Sequence, residues 1–505
     1  MSDGKQGSVA EQGTPAGSLA DAVDDYRRIR SEIERGVLPL ATSVDGRQFT
    51  FQASLHQLQL QTGGYLVLED EGGDTRLGQV LTMRPESTLA PDLGLEGVSS
   101  SMLIRFARGE GVILDGDLRP FHDALARPAE PSEVATWLAD VRPNRSALTI
   151  GELLLAPGVA AALDAGGFNR HTFMCGQSGS GKTYSLGLVL ERLLLETDLR
   201  IVILDPNSDF VRLADVRDGA NPELASRYEQ AAGGVAVRSA ASDERLRLSF
   251  PELGPTAQAA LLRLDPIADR DEYAVLSEAL ADWRPSRIED WAESDSPDAR
   301  RLLVRAQNLG VLRWDVWSRG EPGSILDECV DPNLRCLVVD LGSLGTRAEQ
   351  ALVAEAVLAR LWERRTDRVP VLIVIDEAHN VCPQESEDPL TALATEHAVR
   401  IAGEGRKFGL YLLVSTQRPQ KVHENVLSQC DNLLLMRMNS TADLGFVGDV
   451  FSFVPRSLLE QATSFRQGES LAAGKISPHP ALIRFGARVS EEGGGDVPAD
   501  WAAGR

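Results

Sequence analysis

Residues 171–184 read HTFMCGQSGSGKTY. Within them Gly176, Gly181, Lys182 and Thr183 fit the spacing G-x-x-x-x-G-K-[ST]. An apolar run, residues 172–175, leads in and reads as a buried strand. A helical pattern follows from 182 to about 197, with Leu186, Val189, Leu190, Leu193 and Leu194 on one side. Strand, glycine loop and helix are the context this spacing needs. The glycines let the backbone of Gly176, Gln177, Ser178, Gly179, Ser180, Gly181, Lys182, Thr183 and Tyr184 curl around phosphate oxygens. The helix N-terminus adds partial positive charge. The pattern therefore predicts an ATP site, with Lys182 bridging the β- and γ-phosphates and Thr183 holding Mg²⁺. A chance glycine-rich turn is the bland alternative, and it does not account for Lys182, Thr183 and both flanks together.

Working outward, residues 369–380 read VPVLIVIDEAHN, an apolar strand ending in Asp376 and Glu377. A phosphate loop needs such a partner. Asp376 is expected in the Mg²⁺ shell, and Glu377 is placed to polarise the attacking water. The letters DEAH also occur in the DEAH-box helicases, but that reading is rejected because the residues that follow are different. Residues 405–419 read GRKFGLYLLVSTQRP. A strand over 408–414 puts Gln417 at its C-terminal end, where it can sense the γ-phosphate or the water. Arg406 and Lys407 precede that strand, at the opposite edge of the sheet. Arg406 is therefore expected to serve a neighbour's nucleotide in a ring, with a surface salt bridge as the plainer alternative. A further strand, RIVILD over 200–205, leads into Asp205 and Asp209. These two are read either as acids near Mg²⁺ or water, or as turn and cap residues.

The chain has 505 residues, 43% of them apolar, enough for two to four domains with real cores. A net charge of −23 argues against a protein that coats nucleic acid generally. It does not exclude a local basic surface such as a pore lining. Lysine is rare: Lys5, Lys182, Lys407, Lys421 and Lys475 are the full set. The five cysteines, Cys175, Cys329, Cys336, Cys382 and Cys430, show no paired metal spacing. They predict reduced thiols and a cytoplasmic compartment. No apolar run reaches the ~18–20 residues that span a bilayer, so no membrane is expected.

In chain order, residues 1–35 read as a disordered leader followed by a short charged helix. Residues 36–117 carry short apolar runs broken by turn signals, with Phe49, Phe51, Leu58, Leu60, Tyr65, Val67, Leu77 and Val80 on the runs. That spacing predicts a small β-barrel or sandwich, a docking module with no chemistry of its own. Residues 118–147 read as a proline-rich linker with one helix. The α/β ATPase core is expected over 148–220 and again over 330–487. Between them, 221–329 reads as an inserted helical subdomain. Its Trp283, Trp291, Trp314 and Trp317 are expected to pack rather than stack on bases. In the second core part, residues 349–364 read as an amphipathic helix, so strand, helix and strand predict a parallel crossover.

The segments GQSGSGKT, VLIVIDEAHN and GRKFGLYLLVSTQRPQKVHENVLSQCDNLLLMRM resemble the HerA branch of the HerA–FtsK ATPases. The first module looks like that family's N-terminal barrel and the inserted helices like its helical subdomain. The resemblance implies a RecA-like fold, a homo-hexameric ring and ATP-driven translocation on double-stranded DNA. By motif position it carries over Lys182 and Thr183 as the phosphate-loop pair and Asp376 and Glu377 as the second motif. It likewise makes Gln417 the sensor and Arg406 the finger. The tail, 488–505, resembles the family's C-terminal brace, which laps onto the next subunit. Ser208-Asp209-Phe210 stands where the family often has Gly-acidic-aromatic. Such proteins usually act with a partner nuclease or an antiviral effector. No nuclease metal cluster is visible in the sequence, so any cutting is assigned to another chain. The rival reading is an ATP-binding ring that organises an effector without moving on DNA, which the negative charge favours.

Overall fold

The structure is a computed structural model that describes residues 19–56, 60–89, 103–115, 119–141, 146–240, 242, 244–279, 295–318 and 323–494. Leu58, Trp283, Trp291, the first 18 residues and residues 495–505 lie outside the described set. The chain divides into two compact units, residues 1–130 and 131–505.

The first unit opens with helix α1 (Leu19–Arg35). Its strands are β1 (Leu40–Ser43), β2 (Gln48–Ala53), β3 (Tyr65–Glu69), β4 (Thr75–Leu89), β5 (Leu103–Ile113) and β6 (Phe121–Pro128). They close into a barrel in the order β1-β2-β5-β4-β3-β6. Strict alternation along β2 sends Phe49, Phe51 and Ala53 inward, where they meet Leu66, Leu68, Val80 and Phe121. Of barrel and sandwich, the chain takes the barrel. Closure comes from β6, which pairs antiparallel with both β1 and β3 and leaves no free sheet edge. This corrects the linker expected over residues 118–147. The inward residues of β6 are Phe121, Ala124 and Ala126, and two alanines give a weak apolar signal. Helix α1 packs Ile29 and Ile33 against Ile104, and its Glu34 Oε1 accepts from Arg105 N at 2.8 Å.

The second unit is built on one eleven-stranded sheet. Helix α2 (Pro131–Val141) precedes the hairpin β7 (Ala147–Leu153) and β8 (Ala160–Asp164). Then come β9 (His171–Cys175), α3 (Lys182–Glu196) and β10 (Arg200–Asp205). The next stretch holds α4 (Pro222–Ala232), β11 (Val235–Arg238), α5 (Pro255–Leu261), α6 (Arg270–Ala279), α7 (Pro297–Leu309) and α8 (Ile325–Glu328). It is followed by β12 (Cys336–Asp340), α9 (Arg347–Glu363), β13 (Val371–Ile375), α10 (Pro389–Glu404) and β14 (Leu410–Thr416). Last are α11 (Glu424–Leu427), β15 (Cys430–Met436), α12 (Thr441–Val450), α13 (Arg456–Leu459), β16 (Glu469–Gly474) and β17 (Ala481–Phe485).

The strand order is β11-β12-β10-β13-β14-β9-β15-β16-β17-β7-β8. From β11 to β15 all neighbours are parallel; from β15 to β8 they are antiparallel. The central parallel strands read as unbroken apolar runs, VLIVI in β13 being fully buried, because helices cover both faces. This is a RecA-like P-loop core with an inserted run of helices. The span 221–329 also gives β11 to the sheet edge, which a mostly helical reading did not foresee. Trp314 and Trp317 stack at 6.3 Å, and Trp317 Nε1 donates to Val311 O at 2.6 Å. Both are packing residues, as expected.

Candidate active site

In a parallel sheet the loops at the C-terminal ends of the strands share one edge, and ligands bind there. Here that edge carries the loop after β9, Gln417 after β14, and Asp376-Glu377 after β13. Because β14 lies between β9 and β13, the last two strands are about 10 Å apart, two interstrand spacings. A lysine at the start of α3 spans that gap.

The loop after β9 curls because Gly181 sits at φ 88°, in the left-handed region, as the N-cap of α3. A side chain is strained there. The loop is braced from β15: Gln177 N donates to Arg437 O at 2.9 Å, and Arg437 Nη2 donates to Gly179 O at 3.0 Å. Asn439 N donates to Gln177 Oε1 at 3.0 Å.

Lys182 is 4% exposed, and its three donors all have acceptors. Nζ lies 2.7 Å from Asp376 Oδ1, 3.0 Å from Ser415 Oγ and 3.1 Å from Glu377 Oε1. Burial works to lower its pKa, but the two carboxylates outweigh it and hold the ammonium above the ordinary lysine value. Glu377 occupies φ 40°, an uncommon conformation for a residue with a side chain. Its Oε1 accepts from Gln417 Nε2 at 2.9 Å and its Oε2 from Gln417 N at 3.3 Å. His379 Nδ1 stands 3.2 Å from Oε2 and 3.0 Å from Thr416 Oγ1. Burial raises the Glu377 pKa, yet the His379 hydrogen bond and the Lys182 charge overcome it and bring it down to about 2. The carboxylate stays ionised across the physiological range, as a group that polarises water must. Asp376 is fully buried, and its Oδ2 has no hydrogen-bond partner. An orphaned carboxylate oxygen close to the Thr183 turn is a hard donor of the kind Mg²⁺ takes.

The loop after β10 separates its two acids. Asp205 is turned inward, accepting from Asn207 N, Asp209 N and Phe210 N at 3.3, 3.0 and 2.8 Å. It shapes the turn. Burial pushes its pKa up to about 7 despite those hydrogen bonds. Asp209 instead faces the phosphate loop across a cavity. Burial and the nearby Asp376 charge raise its pKa to about 6. The cavity has a volume of about 660 Å³, within the ~300–1,000 Å³ of small-molecule sites. Its walls include Gln177, Lys182, Thr183, Tyr184, Asp209 and Gln417. A second cavity of equal size lies beyond His379, walled by Arg263, Arg347, Glu385 and Asp388, and holds none of the phosphate-loop residues.

Arg406 is not brought to this site. It precedes β14, whose seven residues separate it from Gln417 by roughly 20 Å at about 3.3 Å per residue. There its Nη1 lies 2.7 Å from Asp431 Oδ2, which Arg170 Nη1 approaches at 3.5 Å. Ser415, His379 and Asp431 were not singled out from sequence. Ser415 lay two residues before Gln417, and His379 two residues past Glu377. Asp431 carried no signal.

A phosphate cradle, a lysine clamped by two acids and a glutamine on the intervening strand define a P-loop ATPase, an ATP-hydrolysing enzyme. Residues 148–306 match the family described as the central domain of the helicase HerA. The DNA double-strand break repair helicase HerA of Pyrococcus furiosus is 23% identical over 489 residues, 84% of this chain and 87% of that one. The protein of that name from Sulfolobus acidocaldarius is 23% identical, over 85% and 89%. Among solved structures, VirB4 of Thermoanaerobacter pseudethanolicus aligns with a TM-score of 0.46 and 16% identity, covering 68% of this chain and 97% of its own. The conjugative coupling protein TrwBdeltaN70 aligns with a TM-score of 0.45 and 13% identity, over 71% and 92%. Residues 148–306 thus match the HerA central-domain family, and most of the chain is similar to HerA helicases at 23% identity.

Proposed function

We propose that this chain is an ATP-driven translocase on double-stranded DNA that works as a homo-hexameric ring, moving DNA for a partner nuclease or antiviral effector. The observation that carries the reading is the distance between Arg406 and the site built around Lys182. An arginine held a strand's length away is of use only to a nucleotide bound by another copy. In the ring, Gly176 to Tyr184 hold the phosphates and Lys182 spans the β- and γ-groups. Thr183 and Asp376 would hold Mg²⁺, which when bound would supply charge neutralisation on the phosphates. Glu377 orients the water, Gln417 senses the γ-phosphate, and Arg406 of one copy completes the site of the next. The relatives named for DNA double-strand break repair support DNA as the track. Five buried free thiols suit the cytoplasm. No helix among the described residues is long and apolar enough to cross a membrane.

The test is ATPase rate with and without linear duplex DNA at moderate salt, together with DNA retention by Glu377→Gln protein in ATP. Stimulation and retention are expected, both weakening as salt rises because phosphate contacts release counterions. Absence of both would favour the second reading, a ring that binds ATP to organise an effector. The net charge of −23 is the observation behind that reading.

A further inference from the structure

The chain does not leave the ATP site when β17 ends at Phe485. Residues 486–494 turn back across α3 to the loop after β10. Tyr184 Oη donates to Gly486 O at 3.4 Å and accepts from Arg488 N at 2.7 Å. Glu191, on α3 and fully buried, receives Val489 N at 2.8 Å, Ser490 N at 2.6 Å and Ser490 Oγ at 2.9 Å on Oε1. The Arg488 side chain is as deeply buried, with Nε 3.5 Å from Glu191 Oε1. That Nε also donates to Ser490 Oγ at 2.8 Å, and Nη2 donates to Glu491 O at 2.9 Å. Beyond it, Glu491 N donates to Asp215 O at 2.9 Å and Gly493 N to Asp209 O at 3.0 Å. The guanidinium lies on Gly187, where a Cβ would stand 2.3 Å from Arg488 Cζ.

This buried pair does more than pin the tail. Burial pushes the Glu191 pKa up and the Arg488 pKa down, so both ions are held at a desolvation cost. Such pairs are weak stabilisers compared with apolar packing. The same segment gives Gly486, Glu492 and Gly494 to the wall of the nucleotide cavity. The sheet order says which end of a nucleotide they meet. Lys182, Asp376 and Glu377 lie toward β13, so the γ-phosphate belongs on that side of β9. The nucleoside then points the other way, over the start of β16 and the end of β17. Gln467, Gly468, Phe485 and Gly486 wall the cavity there.

We infer that residues 486–494 form a strap that shapes the nucleoside end of the ATP site. Arg488 and Glu191 are the positioning residues that lock it to α3. The inference rests on the ATP-site reading, and it gives the first part of the tail a role within its own subunit. The phosphates are assigned to the loop after β9, whose Gln177 and Gly179 are braced by Arg437, while Tyr184 at its far end meets the strap. Loosening the strap should therefore separate two ligands that share the phosphates and differ in the nucleoside.

The experiment measures equilibrium binding of ATP and of inorganic tripolyphosphate to the full chain, as purified and as Gly187→Ala and Arg488→Ala variants. Gly187→Ala favours helix α3 intrinsically, but its methyl group pushes the buried guanidinium off Glu191 and costs stability, so thermal unfolding of each variant is followed alongside to show that it is folded when binding is measured. Both variants are expected to lose ATP affinity by about tenfold or more, as for one well-placed contact, with tripolyphosphate affinity kept. Arg488→Lys should fall between. Equal loss of both ligands would mean the strap merely props the phosphate loop, and no loss of either would mean it has no part in binding; each overturns the inference. If the unaltered chain does not bind ATP, or binds it equally well as Lys182→Ala, the ATP-site reading itself fails.

Discussion

At the C-terminal ends of the parallel strands, Lys182, Asp376 and Glu377 are at most 4% exposed and every donor of the lysine is engaged. At the N-terminal ends, Arg406 and Asp431 keep 34% and 43% of their side-chain surface, and Arg170 shares the same carboxylate. The first cluster is dry and interlocked, the geometry in which fixed charges act most strongly on a reacting group. The second is wet, and its ion pair is worth only ~0–1 kcal/mol to the fold. A wet arginine is cheap to redirect. The contrast sets the two edges apart: one is buried and interlocked around Lys182, and the other carries Arg406, the charge proposed above to serve another copy.

Four substitutions test that contrast. Lys182→Ala should abolish turnover and weaken ATP binding, measured by steady-state hydrolysis and nucleotide titration, because it removes the ammonium set between the two acids. Arg406→Ala should lower kcat by ~10³–10⁵, the usual worth of a transferred arginine. Activity should return in rings mixed with Lys182→Ala protein, since each mutant supplies what the other lacks. Failure of rescue would mean that Arg406 is the surface ion pair it resembles. Asp209→Asn should change the pH profile of kcat/KM. With Asp209 raised to about 6 and Glu377 lowered to about 2, Asp209 takes up a proton as pH falls through 6 while Glu377 stays ionised; Asp205, raised to about 7, titrates in both proteins and drops out of the comparison. The acid limb of the profile should flatten in the variant. The smallest effect is expected from Asp431→Ala: a denaturant midpoint shift worth less than about 1 kcal/mol, beside a clear drop in turnover if it orients Arg406.

Much of the ATP site could be read from the chain because its parts are local. A glycine-rich loop, a lysine and a threonine are contiguous, and an apolar strand announces Asp376 and Glu377. Long-range arrangements were less legible. Strand β6 was missed because its inward residues include Ala124 and Ala126, which carry little hydrophobic signal. Strand β11 is four half-buried residues, VAVR, too short to stand out beside helices. The strap depends on Glu191 meeting residues nearly 300 positions away. Its one local sign was a carboxylate among Leu190, Leu193 and Leu194 on an apolar helix, which asks for a distant partner. The resemblance placed the tail, 488–505, on a neighbouring subunit; residues 488–493 bond within their own chain, and residues 495–505 lie outside the described set.

Strand β14 lies between β9 and β13, paired with β13 over Leu410–Val414 and with β9 over Leu413–Thr416, so one continuous strand joins the two edges of the sheet. One tip touches Glu377 through Gln417; the other leads from Arg406. If Arg406 serves the next copy, as proposed, this strand is the shortest covalent path from one γ-phosphate to the adjoining one. No chain of side-chain rearrangements is needed, and the order in which copies fire would be set by a single connecting strand.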